Sequence, residues 1–469
     1  MNLNWQPSPK SRKSRVELLI DTTLPGKEHY TLLVTSKLLK ISGSTPTAIL
    51  YGIITLDQLL LGDICHSSQN EIVPVFIDDA PRFSYRALML DPARHFLPVK
   101  DVKFFIDQML RYKFNTLQLH LTDDQGWRME IKKYPRLTET GAFRNPAGTP
   151  SGPDNGFYTQ DELRELVTYA ALRGIEIVPE LDIPGHTVAV LAAYPELGCS
   201  HTDSITRIIG QTVDQMLCAG NSKVYQLYKD IIAEVASVFP SPFIHLGGDE
   251  AVIKANWGKC SHCQALMQRL GYHKSSQLMN YFFAQILPTV KENRKKAILW
   301  CELDNMWLPA KEYLFDYPQE VTLVTWRYGL TPLCMKLTAQ HGNPLIMAPG
   351  EYTYLDYPQW KGDLPEFNNW GMPVTSLKTC YEFDPGYRRP SNEQAHILGI
   401  MGTLWGEAIR DINRATYMAY PRAMALAEAG WTQMLHRNWD SFKKRLYPNL
   451  TNLMKHGVSC RIPFEITDR

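Results

Sequence analysis

The run Phe243-Ile244-His245-Leu246-Gly247-Gly248-Asp249-Glu250 joins a short apolar stretch to two glycines and two adjacent carboxylates. Carboxyl groups move protons and stabilise developing charge. A buried strand that ends in acids is how a parallel α/β barrel presents chemistry at its carboxyl end. Glycines at such a turn let a ligand approach the main chain closely. The run also reads as strand, turn and acidic helix start, because Asp and Glu favour a helix N-terminus. What surrounds it decides between these readings.

The elements that must position the acids alternate along the chain. Apolar strand segments fall at Tyr85–Leu90, Thr116–Leu121, Ile175–Leu181, Phe243–Gly248, Ala297–Trp300, Val321–Trp326, Pro344–Ala348 and Ile397–Leu404. Amphipathic helices are expected between them, among them Val99–Tyr112, Gln160–Arg173, Val224–Val238, Ser275–Val290 and Tyr417–Trp431. Eight such repeats predict a (β/α)8 TIM barrel over 81–469. A doubly wound open sheet is the competitor, but no Gly-rich phosphate loop follows any strand. Upstream, residues 16–80 carry strand-like pieces at Tyr30–Thr35, Leu38–Ser42 and Ile72–Ile77 around a helix at Thr47–Leu60, which predicts a small non-catalytic α+β domain. Residues 1–15, with Lys10, Arg12, Lys13 and Arg15, read as a flexible solvated tail.

Charged and aromatic residues follow every strand: Asp91 and Arg94-His95, Asp123-Asp124, Glu180 with Asp182 and His186, Asp249-Glu250, Trp300-Cys301-Glu302, Trp326-Arg327, Tyr352 with Tyr354 and Asp356, and Trp405-Gly406-Glu407. One such residue is usually a cap or a satisfied core group. A set at every strand end predicts a shared pocket.

The chain's 469 residues allow one large domain and a smaller one. Lys+Arg 49 against Asp+Glu 48 gives a net charge of +1, which points to no nucleic-acid or membrane-surface partner. No apolar run reaches the length of a membrane span. No signal peptide is visible at Met1–Arg15, so a cytoplasmic protein is the expectation. Nine scattered cysteines argue against a complete disulfide framework. Cys260-Ser261-His262-Cys263 looks like half a zinc site, but no second pair follows at finger spacing, and an ordinary turn is expected there. His186 with Asp123, Asp124 and Glu180 lacks metal-site spacing, so neither metal nor cofactor is expected.

Acids and tryptophans without a nucleophilic Ser or Cys motif point to carbohydrate hydrolysis. An ordinary retaining glycosidase holds its acid and nucleophile about 5–5.5 Å apart across the sugar. Consecutive residues, with Cα atoms about 3.8 Å apart, are poorly placed for that. They suit substrate assistance, in which the sugar's 2-acetamido oxygen attacks the anomeric carbon. Neighbouring like charges also raise one carboxyl pKa.

Several segments together carry a resemblance: Pro81–Arg86 through Leu90–Phe96, His120–Arg128, Val178–His186, His245–Glu250 and Tyr354-Leu355-Asp356. On them the chain resembles glycoside hydrolase family 20, the β-N-acetylhexosaminidases, over about residues 81–435. The resemblance implies exo-acting release of terminal β-linked GlcNAc or GalNAc from an oligosaccharide or glycoconjugate, with retention, through an oxazolinium intermediate. It makes Glu250 the general acid/base and Asp249 the acceptor for the acetamide N–H. Tyr354 donates to the acetamide oxygen, and Trp300, Trp326 and Trp405 wall the sugar. Arg86, Asp356 and Glu407 hold hydroxyls, and a His186–Asp123 dyad tunes Glu250. Cys301 stands where the family usually has Asp, which puts a supporting role at that position in doubt. A disaccharide-releasing enzyme of lacto-N-biosidase type, a catalytically silent sugar-binding barrel and a two-carboxylate glucosidase are the alternatives; a homodimer is left open.

Overall fold

The computed structural model describes residues 15–63, 74–144, 154–200, 215–306, 309–363 and 373–466. Lys10, Arg12 and Lys13 of the expected tail, and Ile72 of an expected strand, lie outside them. The chain divides into two units: the described residues up to Arg82 together with Trp431–Gly457, and Phe83–Gly430 together with the described residues from Val458. The return of 431–457 to the first unit is absent from the sequence-based division at residue 80.

The first unit is a four-stranded sheet. Tyr30–Val34 pairs antiparallel with Leu38–Gly43 and with Val75–Asp79. Arg15–Ile20 pairs parallel with Leu38–Gly43, so Arg15 opens an edge strand that the sequence reading had given to the tail. Leu32, Val34 and Ile41 form the core with Ile49, Ile53, Leu56 and Leu59 of the helix Pro46–Asp63. That helix also packs against Trp439–Lys455, which buries Phe442, Leu446, Leu450 and Leu453.

The second unit is a closed barrel of eight parallel strands. In chain order they are Tyr85–Leu90, Thr116–His120, Glu176–Glu180, Phe243–His245, Lys296–Trp300, Thr322–Thr325, Leu345–Met347 and Ile397–Leu404. Each of the eight apolar runs became a strand because a parallel barrel buries both faces, which favours near-continuous hydrophobic stretches. Tyr85, Ala87, Met89, Val178, Ile298, Trp300, Val324, Ile346 and Met401 fill the interior. Alternation along a strand then fixes the neighbours: Arg86 points outward, while Glu302 continues the inward row of Ile298 and Trp300.

One expected helix is two. Tyr417–Trp431 breaks into Ile412–Ala419 and Arg422–Trp431 around Tyr420, whose backbone is extended (φ −103°, ψ 132°). Pro421 disfavours helical geometry in the residue before it and has no N–H to donate. Cys260 also departs from expectation. It is the N-cap residue of the helix Ser261–Leu270 rather than part of an ordinary turn, and Cys199 and Cys218 supply the second cysteine pair from upstream.

Candidate active site

The fourth barrel strand ends at His245, and the chain then turns through Gly247 (φ 64°) and Gly248 (φ 97°). A Cβ on Gly247 would fall 1.7 Å from Asp182 Oδ1, so only glycine fits. Gly248 N–H donates to that same Asp182 oxygen at 3.1 Å. The turn delivers Asp249 into a buried position and Glu250 to the cleft with about half its side chain exposed. Glu250 sits at φ 47° and His186 at φ 51°, a left-handed conformation that is uncommon outside glycine and clusters at functional sites.

His186 links the acids. Its Nε2 lies 3.8 Å from Asp249 Oδ2 and 3.7 Å from Glu250 Oε2, and its Nδ1 lies 3.3 Å from Asp123 Oδ1. Asp123 in turn meets His120 Nε2 at 2.9 Å and Arg94 Nη2 at 2.8 Å. His120 Nδ1 meets Glu180 at 2.8 Å, and Trp300 Nε1–H donates to Glu180 at 2.8 Å. Anions and cations thus alternate from the barrel interior to the cleft.

The electrostatics follow from that order. Burial alone would raise Asp123, but Arg94 and His186 outweigh it and hold the carboxyl well below its usual range. Burial would lower His186, yet Asp123 keeps its pKa well above normal. Asp249 is raised, by burial first and by Glu250 among its neighbours, with His186 opposing. Asp124 is raised to about 7 by burial and Asp123; it accepts from Val188 N–H and so caps the helix Val188–Ala193. Glu302 is raised to about 7 by burial, against the pull of Arg327.

The aromatic wall is assembled from four strand ends. Trp300 and Trp405 have ring centroids 5.6 Å apart, and Tyr354 lies 6.3 Å from Trp405. Trp326 Nε1–H donates to Glu302 at 3.0 Å, while Arg327 pairs with Glu302 at 2.9 Å and lies over the Trp326 ring. Glu302, Arg327, His186 and Glu250 line one cleft of about 840 Å³. Asp356 is fully buried, within electrostatic reach of Tyr354 and Tyr357. Glu407 Oε1 lies 3.9 Å from Arg94.

Of the predicted residues, Arg86 is not part of this assembly. It sits near the start of the first strand, faces outward, and donates to the carbonyls of Lys113 at 2.9 Å and Phe83 at 2.8 Å. The arginine at the site is Arg94, which reaches Asp91, Asp123 and Gln125 and lies 5.1 Å from the Trp405 ring centroid. Its loop is held by Arg128, whose buried guanidinium donates to Pro92, Ala93, Ala142, Asp154 and Gly156 carbonyls. Arg94, Glu302, Arg327 and His120 stood at strand ends without assigned roles. Inward parity two residues after Trp300 was the signal for Glu302. Cys301 faces away, with Sγ 3.4 Å from Cys334 Sγ, so the missing carboxylate there is outside the pocket.

Among the described residues, His120, Asp123, Asp124, Asp182, His186 and Asp249 form groups close enough to hold a cation. Asp123 already faces Arg94, His120 and His186, which makes the set a charge relay rather than a vacant cage.

A family model described as the glycosyl hydrolase family 20 catalytic domain matches residues 83–434, and one for domain 2 of the same family matches 1–80. A beta-hexosaminidase of Akkermansia muciniphila is 38% identical over 448 residues, covering 94% of this chain and 87% of that protein. A crystal structure of a beta-N-acetylhexosaminidase superposes with a TM-score of 0.84 at 36% identity, over 96% of this chain and 92% of that one. The exo beta-N-acetylglucosaminidase of Vibrio harveyi, solved with N-acetylglucosamine, gives a TM-score of 0.81 at 31% identity, over 96% of this chain and 70% of the other.

Proposed function

The chain belongs to glycosyl hydrolase family 20, and from that premise we infer that it is a retaining, exo-acting β-N-acetylhexosaminidase. It removes terminal β-linked GlcNAc or GalNAc from the non-reducing end of oligosaccharides or glycoconjugates. The observation that carries this reading is Asp249 Oδ1, a buried carboxylate oxygen with no hydrogen-bond partner among the described residues, one residue from a half-exposed Glu250. A buried acceptor left unpaired is costly unless a ligand satisfies it, and an acetamide N–H does so.

In the first step the substrate's acetamide oxygen attacks the anomeric carbon. Glu250, as the acid, protonates the departing glycosidic oxygen. Asp249 accepts the N–H and offsets the positive charge of the oxazolinium, while Tyr354 donates to the acetamide oxygen. In the second step Glu250, now a carboxylate, takes a proton from water as it adds to the anomeric carbon, regenerating the acetamide. Two inversions give retention. Trp300, Trp326 and Trp405 bound the sugar; Arg94, Asp356 and Glu407 hold its hydroxyls. His186, held charged by Asp123, steadies both acids.

Release of p-nitrophenol from the β-GlcNAc, β-GalNAc and β-glucose aryl glycosides under one condition tests this. Cleavage confined to the two acetamido sugars supports the reading, and equal cleavage of the glucoside overturns substrate assistance.

A further inference from the structure

We propose that Cys199, Cys218, Cys260 and Cys263 form a tetrathiolate zinc site that ties the loop after the third barrel strand to the segment following Asp249 and Glu250. One buried cysteine is ordinary core, since free Cys packs as a small hydrophobe. Here four converge: all are buried, and their Sγ atoms lie within 4.8 Å of one another. Cys218 Sγ is 3.7 Å from Cys260 Sγ and 3.6 Å from Cys263 Sγ. Tetrahedral zinc–thiolate bonds of about 2.3 Å put sulfur atoms about 3.8 Å apart, so the spacing matches four ligands around one ion. Two disulfides would instead draw the sulfurs into pairs about 2 Å apart.

The backbone around the cluster is shaped for the same purpose. Cys260 and Cys263 are separated by two residues at a helix N-terminus, a common zinc half-site. Ser200 N–H points at Cys260 Sγ from 3.4 Å, as donors to bound thiolates do. A Cβ on Gly220 would meet the His262 carbonyl carbon and oxygen at 2.5 Å, so the turn after Cys218 presses directly on the Cys260–Cys263 main chain. The second half-site escapes a finger-spacing search because it stands 42 residues upstream of Cys260, on a different loop.

Four protein ligands leave no open position, so the ion is a staple, not a Lewis acid. Its place gives it a task. Gln215 and Met216, just before Cys218, and Glu250–Lys254, just before Cys260, line the same cleft.

Elemental analysis of the full chain, purified without chelator or added metal, is expected to find one zinc per chain. Mercurial titration of the native protein should release that zinc as four thiols are modified. Cobalt replacement should give the visible bands of a tetrahedral tetrathiolate centre. Cys260→Ser with Cys263→Ser should abolish retention, whereas Cys380→Ser, at a buried cysteine outside the cluster, should keep it. Because the double variant could misfold, Gly220→Val serves as a second probe, expected to loosen zinc while leaving every thiol in place. The proposal is overturned if wild-type protein takes up no stoichiometric zinc in competition with a chromophoric chelator. It is overturned equally if the intact mass shows the four cysteines joined as disulfides, or if iron occupies the site instead. None of these readouts depends on the glycosidase assignment.

Discussion

Arg86 and Arg94 stand on opposite ends of the first barrel strand and do opposite work. Both are buried, and both donate from more than one guanidinium nitrogen. Arg86, near the amino end, donates to the main-chain carbonyls of Phe83 and Lys113 and ties the start of the first strand to the segment before the second. Arg94, beyond the carboxyl end, is wedged among Asp91, Asp123 and Gln125 beside Trp405. Donation to main-chain carbonyls braces a scaffold. Carboxylates around a buried cation make a charged network with protons to organise. In a parallel barrel the two ends are thus separable: stability below, chemistry above.

Variants can break that separation or sharpen it. The largest effect is expected from Glu250→Gln, a loss of about 10²–10⁴ in kcat/KM on a substrate whose leaving group is poorer than nitrophenol, with little change in melting temperature because the side chain is half exposed. An intact rate would remove Glu250 as the acid. Arg94→Met should lower kcat/KM by ~10²-fold and also destabilise, since Asp91 and Asp123 lose a buried partner. Arg86→Met, the same change at the other end, should cost about 3 kcal/mol in urea unfolding and leave kcat/KM of the folded fraction within a few-fold. A similar activity loss in both would erase the contrast.

pH sharpens it further. Asp249 must be ionised to face an oxazolinium, and its pKa is raised, so the acid limb of kcat/KM should lie above the ordinary aspartate value near 3.9. Asp249→Asn should remove that limb along with most activity; a limb unchanged in the variant belongs to another group. The smallest effect is reserved for Asp124. Its carboxyl is raised to about 7, above the ordinary aspartate range, so the stability it contributes at low pH is lost as pH rises through 7. Asp124→Asn, which can still accept from Val188 N–H, should flatten the decline of Tm between about pH 4 and 7 with little change in turnover.

The barrel was legible because both faces of its strands are buried, leaving eight unbroken apolar runs. The acid pair was legible because charged and aromatic residues followed all the other strands as well, which an isolated acidic helix start would not explain. Arg86 misled because motif adjacency does not say which face of a strand a residue occupies; the alternation Tyr85, Ala87, Met89 does. The helix over 417–431 was read across Pro421 because its apolar periodicity continues on both sides. The cysteine cluster was illegible for a different reason. Its halves lie on two loops that only the closed barrel brings together, and no local pattern encodes that meeting.

The first unit's sheet precedes the barrel in the sequence, yet the helix Trp439–Lys455 that packs on its Pro46–Asp63 helix follows the eighth barrel strand. A nascent chain therefore emerges with that apolar helix face uncovered and must synthesise a whole barrel before it can cover it. The same arrangement governs protein engineering. A catalytic half cut free at Arg82 would keep a C-terminal helix with no partner for Phe442, Leu446 and Leu450. A clean separation has to take out 431–457 with the residues up to Arg82 and keep the described residues from Val458, which belong with the barrel.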